Sequence, residues 1–201
     1  MAALKVALIV VSLLWAAPAA ADPTDGWSPH IAEASSRFGV PREWIRRVIR
    51  AESGGRTKLG DKPITSPAGA MGLMQLMPGT WHEMRTSLHL GSDPHDPRDN
   101  ILAGTAYLRA MYDRFGHPGL FGAYNAGPAR YAEHLAWGRP LPGETRAYLA
   151  MVGGGTREPP VREAEKPAGP IFFTLRSTDN SPKRRGGKAS AGLFVELRGG
   201  K

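Results

Sequence analysis

From Ser28 to Val152 the apolar residues recur with helical spacing and never sustain a period-two alternation, which confines this stretch to an all-α domain. Ser28-Pro29 reads as an N-cap followed by proline in the first turn, and Gly39 closes that helix. Pro41 opens a second helix, in which Ile45, Val48, Ile49 and Glu52 stand at i, i+3, i+4 and i+7. These four share one face, while Arg46, Arg47 and Arg50 point away from it. Gly54-Gly55 ends the helix. A third, longer helix is predicted from about Arg98 to Phe115, with Ile101, Gly104, Thr105, Leu108, Tyr112 and Phe115 as its inward stripe. Asp96 and Asp99 favour its N-terminal dipole. Shorter helices are expected around Met71–Leu76, Pro78–Thr86, Pro118–Asn125 and Glu144–Val152.

The flanks read differently. Lys5, an apolar run from Val6 to Trp15 and then Ala19-Ala20-Ala21 fit a signal peptide cleaved before Asp22, so residues 1–21 are expected to direct export to the periplasm. A retained membrane anchor is the weaker alternative, because the run is short and small residues follow it at once. No cysteine is present to carry a lipid, a disulfide or a thiolate site. After Val152, Gly153-Gly154-Gly155, Pro159-Pro160 and Pro167 begin a Gly/Pro-rich basic tail over residues 153–201, with 10 Lys/Arg against 5 Asp/Glu. Ile171–Leu175 and Leu193–Leu197 are β-prone and flank Lys183-Arg184-Arg185; a hairpin and a flexible tail are both open. In an exported protein such charge suits an anionic envelope partner, and no nucleic acid is expected.

Glu52 is the residue of chemical interest in the 22–152 domain. A carboxylate on an apolar helix face is costly to desolvate, and burial raises its pKa toward neutrality, as a general acid requires. A Glu at a helix end can equally turn its side chain to water, and periodicity leaves both readings open.

Three segments follow one another in the chain: Glu52-Ser53-Gly54, Gly72-Leu73-Met74-Gln75, and Ala123-Tyr124-Asn125-Ala126-Gly127. Together with Ser66-Pro67-Ala68-Gly69-Ala70-Met71, Met77-Pro78 and Asn100-Ile101, they resemble the soluble lytic transglycosylase family over about Trp27 to Val152. The resemblance implies a helical, lysozyme-like domain of the goose-type class with a sugar cleft, and it maps the catalytic Glu onto Glu52. It places Ser53 beside the acid, Gln75 on the cleft with Met74 as a further contact, and Tyr124 and Asn125 along one side. Ser53 could also merely tighten the helix end, Met74 and Met77 read by default as core fillers, and Asn125 as a helix-end residue. Glu144-Thr145-Arg146-Ala147-Tyr148 resembles the family's last helix, whose Tyr reaches back to the acid, which makes Tyr148 a candidate to orient Glu52.

The implied reaction is cleavage of the bond between N-acetylmuramic acid and N-acetylglucosamine in peptidoglycan glycan strands, leaving 1,6-anhydro ends, with no metal or organic cofactor. Hydrolysis of the same bond and non-catalytic glycan binding are the rival outcomes. By family analogy the tail would recruit the protein to an envelope-spanning secretion or conjugation apparatus. His89, Asp93, His95, Asp96 and Asp99 share a loop, but their spacing suits turns and caps rather than a metal site.

Overall fold

The computed structural model describes residues 21–154. Residues 1–20 of the expected export segment, and the tail from 155 onward with its two β-prone pieces, lie outside the described residues. Seven α-helices are present among the described residues: α1 Ser28–Phe38, α2 Arg42–Ser53, α3 Pro78–Leu88, α4 Pro97–Phe115, α5 Gly119–Ala126, α6 Pro128–Trp137 and α7 Gly143–Val152. Two-residue strands β1 Lys58–Leu59 and β2 Lys62–Pro63 form a small antiparallel hairpin that no alternation announces.

The axis of the domain is α4, on which α1, α3 and α5 pack. Asn100 through Leu108 are all buried, so this helix is enclosed on every side rather than along one stripe. The small residues Ala103, Gly104 and Ala106 allow neighbours to close in on the faces between Ile101 and Leu108. The outer end of the expected stripe is less enclosed, since Tyr112 and Phe115 are half-buried. Asp96 caps the helix by accepting the Asp99 N–H at 2.8 Å.

Ile45, Val48 and Ile49 of α2 are fully buried, each worth about 1.5–3 kcal/mol of apolar burial. Trp44 fills the gap toward the far end of α4, its ring 5.6 Å from Tyr112, 5.2 Å from His117 and 5.8 Å from Phe121. The arginine face of α2 holds both ends of the domain. Arg50 pairs with Asp22 at 2.6 Å, Arg46 donates to Thr24 at 2.6 Å and to Ser28 at 2.7 Å, and Arg47 donates to the Val152 carbonyl at 3.3 Å. Ser28 is therefore the first residue of α1 rather than its cap, and its hydroxyl serves Arg46.

Met71–Leu76 is not a helix. Met71 and Leu76 exchange both backbone hydrogen bonds at 3.0 Å and enclose a four-residue turn, with Gly72 at φ 76° and Gln75 at φ 47°. Conversely, α6 has no counterpart among the predicted helices. Its signals are Pro128 in the first turn and Gly138 in the left-handed C-cap.

Candidate active site

Glu52 lies in the last turn of α2, one turn beyond Val48 and Ile49, and Gly54 at φ 61° ends the helix just after it. The residue is half-buried. Burial raises its pKa to about 7, the negative charge of Glu144 adds to the rise, and the Tyr148 hydroxyl opposes it by donating toward the carboxyl. The desolvated alternative for this carboxyl is thus the one the fold adopts. Tyr148 comes from α7, which packs on α2 and α5. Its hydroxyl is buried and reaches Glu52 without meeting full hydrogen-bond geometry, and it has no other partner. Such a contact tightens readily when substrate arrives. Burial also holds the Tyr148 phenol well above its ordinary pKa, so it stays protonated.

Tyr124, on α5, is near enough to feel the Glu52 charge, but its hydroxyl donates to the Met74 carbonyl at 2.7 Å rather than to the acid. Ser53 is buried, and its hydroxyl donates to the Ile49 carbonyl at 3.2 Å, which is the helix-tightening alternative. Asn125 sits inside the last turn of α5 with no unusual backbone angle; Gly127, at φ 87°, makes the exit instead.

Spacing reads both Met74 and Met77 as core fillers, and only Met74 is one. Met74 is fully buried, its sulfur against Gly104, where an added Cβ would meet it at 2.5 Å. Its backbone N–H donates to Asn100 at 2.8 Å, so neither its side chain nor its backbone polar groups are left for a cleft. Met77 is 47% exposed and lines the groove described below. Spacing misplaces Met77, and the resemblance misplaces Met74 on the cleft, because the chain turns through left-handed conformations at Gly72 and Gln75.

A groove of about 1290 Å³ leaves the corner formed by Gln75, Tyr124 and Asn125 and runs between α3 and the first two turns of α6. Glu52 does not line it, but adjoins it through Tyr124. The Gln75 amide donates to the Gly72 carbonyl at 2.8 Å, leaving its oxygen and second N–H for the groove. Glu83 and Tyr107 lie further along. Burial raises the Glu83 carboxyl, and burial together with the Glu83 charge pushes the Tyr107 hydroxyl up to about 12. Sequence reasoning takes Met77 for a core filler and passes over Glu83 and Tyr107, whose spacing is that of ordinary amphipathic helices.

The His/Asp loop makes turns and caps. Asp93 accepts the His95 N–H at 2.8 Å, Asp99 accepts the Gly91 N–H at 2.8 Å, and His89 closes α3 in a left-handed conformation.

An acid half-protonated near neutrality, a protonated phenol facing it and a groove alongside can protonate a leaving oxygen of a bound substrate and then recover a proton. Residues 29–137 match the family described as Transglycosylase SLT domain. The soluble lytic murein transglycosylase of Escherichia coli K12 is 41% identical over 131 residues, covering 56% of this chain and 20% of that protein. The transglycosylase of Enterobacteria phage PRD1 is 36% identical over 90 residues, covering 45% of this chain and 30% of the relative. Among solved structures, an inactive mutant of the lytic transglycosylase Slt from Pseudomonas aeruginosa superposes with a TM-score of 0.56 at 29% identity, covering 65% of this chain and 23% of that one. The chain thus spans about a fifth of the length of the Escherichia coli relative. The family match takes in more than half of the chain, and with it Glu52, the turn ending at Gln75 and the segment around Tyr124: the chain belongs to the transglycosylase SLT domain family.

Proposed function

We propose that this protein is a peptidoglycan lytic transglycosylase in which Glu52 acts first as acid and then as base. The observation that carries the reading is a desolvated carboxyl with a pKa of about 7 that faces Tyr148 beside a groove of about 1290 Å³. Glu52 gives its proton to the glycosidic oxygen between N-acetylmuramic acid and N-acetylglucosamine as the C1–O bond breaks. The sugar's own 2-acetamido oxygen stabilises C1, which lets one carboxylate serve where many glycosidases use two. The C6 hydroxyl then attacks C1 and returns its proton to Glu52, so a 1,6-anhydro ring closes and no water is consumed. Tyr148 orients the acid, while Gln75 and Asn125 contact the glycan.

Mass spectrometry of fragments released from purified peptidoglycan tests this. Anhydro ends are the expected product; reducing ends would make the protein a hydrolase, and no fragments would make it a glycan-binding module. Residues 1–21 would export the chain to the periplasm, and residues 22–152 would form the catalytic domain. Residues 153–201, net basic, would recruit it to an envelope-spanning secretion or conjugation machine. A pull-down from envelope extracts with and without that tail separates recruitment from plain wall turnover.

A further inference from the structure

Gln75 is a non-glycine residue at φ 47°, a conformation that persists only where its surroundings over-determine it. Those surroundings are specific. Asn100, fully buried on α4, accepts the Met74 N–H at 2.8 Å and donates to the carbonyls of Met71 at 3.1 Å and Pro94 at 2.9 Å. Tyr124, from α5, donates to the Met74 carbonyl at 2.7 Å. Met74 is therefore gripped at its N–H by one helix and at its carbonyl by another, immediately before Gln75. The turn has no slack beneath it, because a Cβ on Gly72 would lie 2.3 Å from the Asn100 amide nitrogen. Loss of either grip frees the peptide that sets the direction of Gln75.

We propose that Asn100 and Tyr124 are positioning residues for substrate binding, which clamp the Met74 backbone from two helices and so aim the Gln75 amide into the groove. Neither touches the substrate through its polar group in this role. The Tyr124 hydroxyl and the Asn100 amide are both engaged with backbone, and only Gln75 carries their effect to the glycan. The inference rests on the reading of Gln75 as a groove contact on a glycan-cleaving enzyme.

A double-mutant comparison on the full-length protein separates aiming from mere stabilisation. Steady-state cleavage of soluble glycan strands is measured for Tyr124→Phe and Asn100→Ala, alone and combined with Gln75→Ala, well below each variant's unfolding temperature. In the wild-type background each is expected to lower kcat/KM on the order of tenfold or more, mainly through KM, since small misplacements of a positioning group are costly. The alkaline limb of the pH profile should stay in place, because Glu52 keeps its own neighbours. In the Gln75→Ala background the same substitutions should cost less than about threefold, since nothing is left to aim. Equal losses in both backgrounds, or no loss in either, would overturn the clamp. If Asn100→Ala does not fold, Tyr124→Phe decides, as it removes one oxygen and keeps the ring. Unchanged kcat/KM in Gln75→Ala alone would remove Gln75 from the groove contacts and the clamp with it. An additive loss beside a harmful Gln75→Ala rejects the clamp only.

Discussion

Burial and hydrogen bonding pull the Glu52 proton in opposite senses, and burial is the larger effect. Because its pKa rises from 4.5 to about 7 on folding, the native state holds this proton more tightly than the unfolded chain does. The carboxyl is harmless to stability below about pH 4.5, costs progressively more as pH rises from there, and carries its full cost above about pH 7. Glu52→Gln should therefore match the wild type at low pH and exceed it in stability above pH 7, by at most about 3 kcal/mol in denaturant unfolding. Its cleavage rate should fall by ~10²–10⁴-fold, the usual worth of a general acid. Near wild-type digestion of sacculi would remove Glu52 from the chemistry. Neighbours move the same proton predictably. Tyr148→Phe deletes a bond that favours the carboxylate, so the alkaline limb of kcat/KM should move to higher pH; Glu144→Gln deletes a repelling charge, so it should move to lower pH. A profile unmoved in both variants would show that neither residue sets the acid's strength. The carboxyl's place on the apolar face is legible in sequence from its i+7 spacing, while its burial is not, since a residue at a helix end can turn to water. Tyr148 is not legible from periodicity, because its meeting with Glu52 depends on α7 folding back onto α2 from almost a hundred residues away.

At the scale of elements, legibility follows the strength of local signals. α1 and α2 are strongly amphipathic, α4 is long and buried on every side over residues 100–108, and all three end at glycines where their sequences place them. The Met71–Leu76 turn has an apolar composition that passes for a helix, and only the conformational demands at Gly72 and Gln75 reveal it. α6 carries both the punctuation and the amphipathic pattern of a helix, although Tyr131 is its one buried residue. Two glycines test how firmly such elements are keyed together. An added Cβ at Gly104 would meet Met74 at 2.5 Å, and at Gly122 it would meet the Tyr131 ring at 2.4 Å. Gly104→Ala and Gly122→Ala are each expected to lower stability by about 1–3 kcal/mol through overpacking. Gly79→Ala, with open space around it in the first turn of α3, should be neutral or raise stability by up to about 1 kcal/mol. Thermal unfolding of the three variants checks the order, and a stabilised Gly104→Ala would show that the α4–turn contact has room to spare.

For the molecule as a whole, the core closes at Val152, which is buried and whose carbonyl accepts from Arg47. A chain ending at Gly154 is expected to unfold cooperatively and to cleave isolated peptidoglycan as the full chain does. A chain ending at Met151 should lose about 2 kcal/mol for the missing valine. Calorimetry distinguishes them, and a broadened transition in the longer truncation would mean that residues beyond Gly154 share the core. The arginines that fasten Val152 and Asp22 stand within four positions of one another on α2, so the entrance and the exit of the domain are neighbours in space. A unit built that way is portable. It can be spliced onto the end of another polypeptide or into the middle of one through a single small gap. New ends can also be cut at the β1–β2 turn once Asp22 and Val152 are joined by a short linker.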